Sequence, residues 1–263
     1  PKLQRIRELI EQLKHKNILQ SRGGTDTSEV FLFIKEFTDR EQKGNLWLGQ
    51  ILGDTYIANE ISKDIAYIQG TTSKGDISVG TGTLISPNVV LTCAHVIDDM
   101  SVDYVEIRGN KIDIERCISH KTVDVGLIYL NIDVTQLLPD LAFRESRLLE
   151  PLVIAGYPKI PRNLKASLTV QTGQLCGHLE ETMEGYPMDL FSAIARPGNS
   201  GGPVVSTDGC VIGIVTRSLE REQEAVDPMA VFPFFAAVPS SIISLCIKEI
   251  TDGKLCLPWE SYE

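Results

Sequence analysis

The sequence has no long apolar run. No stretch approaches the ~18–20 residues that a bilayer-crossing helix needs, and the most apolar segment, Val231 to Val238, is short and carries Pro233. Histidine is scarce, at four residues, and there is no C-x-x-C pair or Cys/His cluster, so the pattern suggests no zinc site and no metal or cofactor is expected. An excess of positive charge is also missing. The formal net charge is −10, which argues against a nucleic-acid partner, because phosphate contacts need clustered Lys and Arg. Pro1 to Gln20 contains no apolar core of the kind a signal peptide needs, so none is expected there. Aromatics are only 6% of the chain, but 43% hydrophobic and 23% charged residues are ordinary globular proportions and exclude a disordered or fibrous polymer. The 263 residues suffice for one large β domain or two modest ones with proper cores.

Six cysteines are present: Cys93, Cys117, Cys176, Cys210, Cys246 and Cys256. An even number permits three disulfides, yet the chain is far longer than the small scaffolds that depend on them. Six thiols and a reducing, cytoplasmic location are therefore expected.

Leu3, Ile6, Ile10 and Leu13 recur at spacings of one helical stripe, so Pro1 to Gln20 is predicted as an amphipathic helix with five Lys/Arg against two Glu. Ser21 to Ser28 reads as a turn-rich linker. Val30-Phe-Leu-Phe-Ile34 fits a buried strand or part of a helix equally well. From about Ser62 the character changes to short β-branched runs separated by Gly, Pro, Asn and Asp. They are Ile65–Ile68, Gly82–Ile85, Val89–Thr92, Val105–Ile107, Val125–Leu130, Pro151–Ala155, Leu168–Gln171, Gly173–Cys176, Gly202–Val205, Val211–Thr216 and Phe234–Val238. Many short strands with turns between them indicate an all-β barrel or sandwich. Ser240 to Ile250, with Pro239 just ahead, is predicted as a closing helix.

Three segments carry chemistry. Pro197-Gly-Asn-Ser-Gly-Gly-Pro203 surrounds Ser200 with small, turn-forming residues. A nucleophilic serine needs such a turn, so that its hydroxyl projects into a cleft and backbone N–H groups converge on a developing oxyanion. Val90-Leu-Thr-Cys-Ala-His-Val96 runs an apolar strand into His95. Asp124 opens the apolar strand Val125-Gly-Leu-Ile-Tyr-Leu130, where a buried carboxylate is costly unless paired. Singly, each has a plainer reading: a glycine-rich turn, a core histidine, a turn-capping aspartate. Together, in the order His, Asp, Ser and 29 and 76 residues apart, they do not. His15, His120 and His178 match no motif and are read as structural or surface residues.

Thr92-Cys-Ala-His95, Asp124-Val-Gly-Leu-Ile, Gly198-Asn-Ser-Gly-Gly-Pro203, Gly213-Ile-Val-Thr216 and Phe235-Ala-Ala-Val-Pro-Ser240 resemble, in register, the trypsin-like (chymotrypsin-fold) serine proteases, especially the bacterial HtrA-like (Deg) branch. The resemblance covers about residues 62 to 250. It implies an all-β fold of two six-stranded antiparallel β-barrels, about 62–148 and 149–240, followed by a C-terminal helix at about 240–250. A partly helical N-terminal extension, 1–61, would precede the protease domain of 62–263 and offer a docking or regulatory segment for a partner protein. The resemblance also implies a serine endopeptidase acting on proteins or peptides: Ser200 as nucleophile, His95 as general base, Asp124 orienting it, and the N–H groups of Gly198 and Ser200 as oxyanion hole. Thr216 would end the substrate-pairing strand, with Ile194, Ser218 and Phe235 shaping the pocket for the residue before the cut. Two other functions remain open at this stage, a protease-fold binding or adaptor protein and a chaperone-like protein.

The departures from the family pattern matter as well. Asn199 stands where digestive members carry an aspartate, so ordering of the site by a new N-terminal ammonium is not expected. Control by a partner or by loops at 179–190 and 218–230 is expected instead. Cys93 precedes the histidine, whereas secreted members place a bridging cysteine after it. Only residues 251–263 follow the predicted last helix, too few for the PDZ domain of HtrA proteins, and the combination resembles bacterial effector proteases tethered to a sensor or adaptor. Ile194 is apolar where cleavage after Lys or Arg would need a carboxylate, and Phe235 fills a place often held by Gly. Cleavage after small or medium apolar residues is expected, with Arg196 at the rim.

Overall fold

Turn residues at short intervals break the chain after Ser62 into strands, as the composition predicts. The computed structural model describes residues 2–25, 28–36, 38, 41, 46–132, 141–163, 166–216 and 234–261. A first sheet is built from β3 (Ile65–Thr72), β4 (Ile77–Ser86), β5 (Val89–Thr92), β6 (Met100–Ile107), β7 (Asn110–Ile112), β8 (Ile114–Ser119) and β9 (Gly126–Leu130). Its order is β7-β6-β3-β4-β5-β9-β8. A second comprises β10 (Ala142–Phe143), β11 (Pro151–Gly156), β12 (Thr169–Leu179), β13 (Met188–Phe191), β14 (Pro203–Ser206), β15 (Cys210–Val215) and β16 (Phe235–Pro239). Its order is β10-β15-β14-β11-β12-β13-β16, and β15 also pairs with β16.

That last pairing closes six antiparallel strands into a barrel, to which β10 adds in parallel alongside β15. The architecture is thus the expected chymotrypsin-like double barrel, with two differences. Among the described residues the first sheet is a half-barrel with no ladder between its edge strands β7 and β8. The chain itself crosses from one edge to the other at Asp113, whose carbonyl accepts from Asn131 N–H at 3.0 Å. β12 is another difference, one strand where Leu168–Gln171 and Gly173–Cys176 read as two. Gly173 marks a close approach rather than a break: a Cβ there would lie 2.5 Å from Ala193 N.

The N-terminal residues form α1 (Lys2–His15), β1 (Leu19–Thr25), β2 (Ser28–Phe33), a 3-10 turn at Leu46–Leu48, α2 (Gly49–Leu52) and α3 (Asp54–Ile61). The expected linker at Ser21–Ser28 is instead part of a hairpin, with Leu19 opposite Phe33 and Ser21 opposite Phe31. Gly23, at φ +93°, sits in a bulge between Ser21 and Gly24, so the Gly-Gly pair kinks a strand rather than freeing the chain. Val30 to Phe33 lies in β2, so the segment is a strand, but not the buried one expected, since Val30, Leu32 and Phe33 are exposed. α3 places Ile57 and Ile61 one turn apart, both fully buried in the main core with Leu46. Each contributes about 1.5–3 kcal/mol of burial, so residues 46–61 pack as part of the body. A second cluster of Leu152, Leu175, Phe191, Val204 and Ile212 fills the closed barrel.

α5 (Ser240–Ile250) starts after Pro239 and buries Ile243, Cys246 and Ile247 on one stripe. Gly253, at φ +72°, closes it by donating its N–H to Lys248 O at 2.8 Å. Among the described residues no disulfide forms and all six cysteines are thiols. No described helix is long and apolar enough to cross a membrane.

Candidate active site

β5 and β9 pair antiparallel, with Thr92 opposite Gly126. The residues just past the end of one and just before the start of the other are therefore neighbours, and they are His95 and Asp124. His95 lies in a five-residue helix, α4 (Ala94–Asp98), that follows the fully buried strand β5. Its Nδ1 is 2.9 Å from Asp124 Oδ1 and 2.8 Å from Oδ2, and its backbone N–H donates to Oδ1 at 3.0 Å. A carboxylate only accepts, so the proton sits on Nδ1 and Nε2 is left as an acceptor. Thr216 Oγ1 donates to Oδ2 at 2.5 Å. Burial alone would raise the Asp124 carboxyl, but the hydrogen bond and charge of His95, with Thr216, outweigh it and hold the group well below the usual carboxylate range.

Two residues complete this corner. Tyr186, on the β12–β13 connection, is 8% exposed and shares the wall of one cavity with His95, Asp124 and Thr216. Burial and then the Asp124 charge push it up to about 12, so it stays neutral. His120 Nδ1 accepts from the N–H groups of Thr122 at 3.3 Å and Val123 at 3.0 Å, while Nε2 meets Glu249 of α5 at 3.0 Å. It thereby fixes the loop that delivers Asp124. Sequence reasoning missed both roles, since neither residue carries a motif.

Ser200 sits on a turn between the barrels. Gly198 has φ +101° and Gly201 φ +81°. A Cβ on Gly201 would come within 2.2 Å of Thr81 O and 3.0 Å of Cys93 N, so the missing side chain lets the turn pack against the strand that leads to His95. Asn199, 2% exposed, takes the Arg196 N–H on its Oδ1 at 3.2 Å and gives its own N–H to Arg196 O at 2.9 Å. The Pro197 carbonyl is held by Lys159 N–H at 2.9 Å. Among the described residues the N–H groups of Gly198 and Ser200 have no acceptor within the chain, and so remain available to an oxyanion. Thr81 pins the whole turn. Its N–H donates to Ser200 O at 3.0 Å, its hydroxyl donates to Gly198 O at 2.6 Å and accepts from Tyr157 N–H at 2.9 Å. Ser200 Oγ makes no hydrogen bond to His95 among the described residues. Such bonds are commonly long without substrate.

The pocket residues are less closely drawn together. Ile194 is 47% exposed, between buried Ala193 and Ala195, and its N–H is held by Gln171 Oε1 at 3.1 Å. Phe235 is half-buried over the second cluster, its ring centroid 6.2 Å from that of Phe191. Thr216, expected on the substrate strand, lies one residue past the end of β15 and turns its hydroxyl to Asp124. Ser218 and the candidate loop 218–230 lie outside the described residues. A cavity of about 470 Å³ beside the His95–Asp124 pair is lined by Asp98, Asp99, Glu184, Tyr186 and Thr216 among others. Another, of about 550 Å³, opens next to Gly198, with Tyr67, Tyr157, Lys159 and Ile160 in its wall. Cys93, His95 and Asp124 are a group whose ligand atoms could meet at one metal ion.

Residues 80–214 match the family model described as a trypsin-like peptidase domain. The chain belongs to the trypsin-like peptidases. The matched stretch contains His95, Asp124 and Ser200. Among curated relatives, it is similar to serine protease HTRA1A of Danio rerio, with 34% identity over 153 residues, 55% of this chain and 31% of that protein. It is also similar to a probable periplasmic serine endoprotease, DegP-like, of a Marinomonas species, with 26% identity over 190 residues, 69% of this chain and 38% of that protein. The chain thus spans about a third of the length of these relatives. Among solved structures, the active form of the Rv3671c protease of M. tuberculosis superposes with a TM-score of 0.60 at 18% identity, over 77% of this chain and 86% of that one. At that identity the match speaks for the fold. It agrees with the double barrel described above.

Proposed function

We propose that this trypsin-like peptidase is a serine endopeptidase that cleaves protein or peptide substrates through an acyl-enzyme intermediate. Ser200 attacks the carbonyl, His95 Nε2 takes its proton and returns one to the leaving amine, and Asp124 holds the imidazole with its proton on Nδ1. The observation that carries the reading is the His95–Asp124 contact at 2.8–2.9 Å, which leaves Nε2 as the basic nitrogen. The unengaged N–H groups of Gly198 and Ser200 support it as the site of oxyanion stabilisation. A fluorophosphonate probe should label the protein at Ser200, and Ser200→Ala or His95→Ala should each lower peptide cleavage by several orders of magnitude, with no further loss in the double variant. Labelling that survives Ser200→Ala would refute the assignment.

Specificity, control and setting belong to the same proposal. Ile194 offers no carboxylate to a cationic side chain, and leaving such a charge unpaired costs roughly 3–5 kcal/mol. Cleavage should therefore follow Ala, Val or Leu rather than Lys or Arg in a peptide library, and dominant cleavage after Arg would overturn this pocket. Regulation through the 179–190 loop is supported by Glu184, Tyr186 and Met188, which line the cavity beside His95 and Asp124. The N-terminal hairpin, with Val30, Leu32 and Phe33 exposed, supports docking of a regulatory protein, as in an effector protease. A cytoplasmic site of action is part of the proposal, and cell fractionation tests it.

A further inference from the structure

The thiol of Cys93 takes no part in the proposed reaction, yet it is fully buried against the catalytic corner. Cys93 directly follows β5, two residues ahead of His95, and donates to the carbonyl of Val215, the last residue of β15, at 3.2 Å. The Cys93 Sγ, an imidazole nitrogen of His95 and a carboxylate oxygen of Asp124 all lie within 4.8 Å of one another. Sequence spacing did not suggest this set, because the aspartate arrives from another strand, 29 residues on.

We propose that Cys93, His95 and Asp124 form an inhibitory site for a borderline-soft divalent cation of the zinc type. The chemistry of the donors fits: one thiolate, one imidazole and one carboxylate, with a water in the fourth position. Ligands of a tetrahedral zinc ion stand about 3.3–3.6 Å apart, given metal–ligand distances near 2.0–2.3 Å. The Nδ1–carboxylate contact, now 2.8–2.9 Å, has to open by roughly 0.5 Å to admit the ion. Charge also balances, since the two positive charges meet one thiolate and one carboxylate, leaving a neutral buried centre. The adjoining cavity carries Asp98, Asp99 and Glu184 on its wall, a set of acidic groups that favours approach of a cation.

Binding stops catalysis by a defined proton movement. Cys93 loses its thiol proton to water as the metal–sulfur bond forms. The neutral His95 ring changes tautomer through water: the Nδ1 proton leaves to water, Nε2 takes one up, and the freed Nδ1 lone pair binds the metal. No nitrogen is then left to accept the Ser200 proton, and Asp124 no longer orients the ring. This consequence for activity rests on the proposed peptidase function, whereas metal binding itself does not.

The test therefore reads binding and activity separately. Cobalt(II) added to the Ser200→Ala protein should produce a thiolate-to-cobalt charge-transfer band that disappears in Ser200→Ala carrying Cys93→Ser or Cys93→Ala. The active protein should be inhibited by zinc, reversibly by EDTA. Cys93→Ser and Cys93→Ala should keep basal cleavage while the zinc concentration for half inhibition rises by about tenfold or more, as loss of a ligand requires. Two variants are specified so that one misfolding does not void the test. A Cys93-dependent band in a protein without peptidase activity sustains the metal site and sinks the proposed function. An active protein whose zinc sensitivity and cobalt spectrum are unchanged by either Cys93 substitution sinks the site.

Discussion

At the scale of single residues, the geometry around Asp124 depends on donors that converge on one carboxylate. Thr216 contributes a hydroxyl at 2.5 Å and His95 its backbone N–H at 3.0 Å. A hydrogen bond to a charged group is worth about 1.5–3 kcal/mol, and each 1.36 kcal/mol removed from transition-state stabilisation is about tenfold in rate. Thr216→Val should accordingly lower kcat by roughly 10–100-fold with little change in KM, and Thr216→Ser should restore most of it. Steady-state kinetics on a peptide substrate check both. A Thr216→Val enzyme with unaltered kcat would mean that the threonine merely fills space.

At the scale of elements, the turn that carries Ser200 is held by a strand of the other sheet. Thr81 of β4 meets Ser200, Gly198 and Tyr157 through its backbone and hydroxyl. Thr81→Val preserves shape and the backbone bond to Ser200 but leaves the Gly198 carbonyl and the Tyr157 N–H buried without that hydroxyl, at about 1–3 kcal/mol each. Fluorophosphonate labelling should slow and the thermal midpoint should fall. An unchanged labelling rate would detach Thr81 from the oxyanion site. Legibility in the sequence divides along the same line. Gly198 and Gly201 stand out because backbone geometry demands a residue without Cβ. Ser240–Ile250 is legible because burial of one face imposes its periodicity, and Val89–Thr92 because a fully buried strand reads as a short β-branched run between turn residues. Thr81, Tyr186 and His120 are not, because each acts through partners distant in the chain and an isolated Thr, Tyr or His has no pattern. Ser21–Ser28 reads as a linker rather than as part of a hairpin for a related reason: Gly23-Gly24 signals a turn whether it breaks a strand or kinks one.

At the scale of the whole molecule, one cation joins three distant pieces of the second barrel. Arg144, 4% exposed, leads out of β10. It reaches Glu150 ahead of β11 at 2.5 and 3.1 Å and Asp208 in the β14–β15 turn at 3.0 Å. Burial by itself would lower the Arg144 pKa, but the bonds and charges of Glu150 and Asp208 raise it further. The Asp208 carboxyl is pulled the opposite way. Burial would raise it, and the guanidinium charge and the Ser206 hydroxyl hold it below its ordinary value. A carboxyl depressed in the folded state adds stability above its unfolded pKa, near 3.9, and that stability is lost as pH falls through the folded value. Arg144→Ala removes the cation and leaves two carboxylates in the interior, a change of about 3–5 kcal/mol, or roughly 6–20 °C in midpoint for a domain of this size. The deficit should be widest near neutral pH. It should narrow below about pH 4, where the carboxylates of the variant protonate and the wild type loses the benefit of its ion pairs. Thermal melts of both proteins at pH 7 and near pH 4 decide it. A gap that stays constant between them would show that Arg144 stabilises through packing of its aliphatic stem and not through charge.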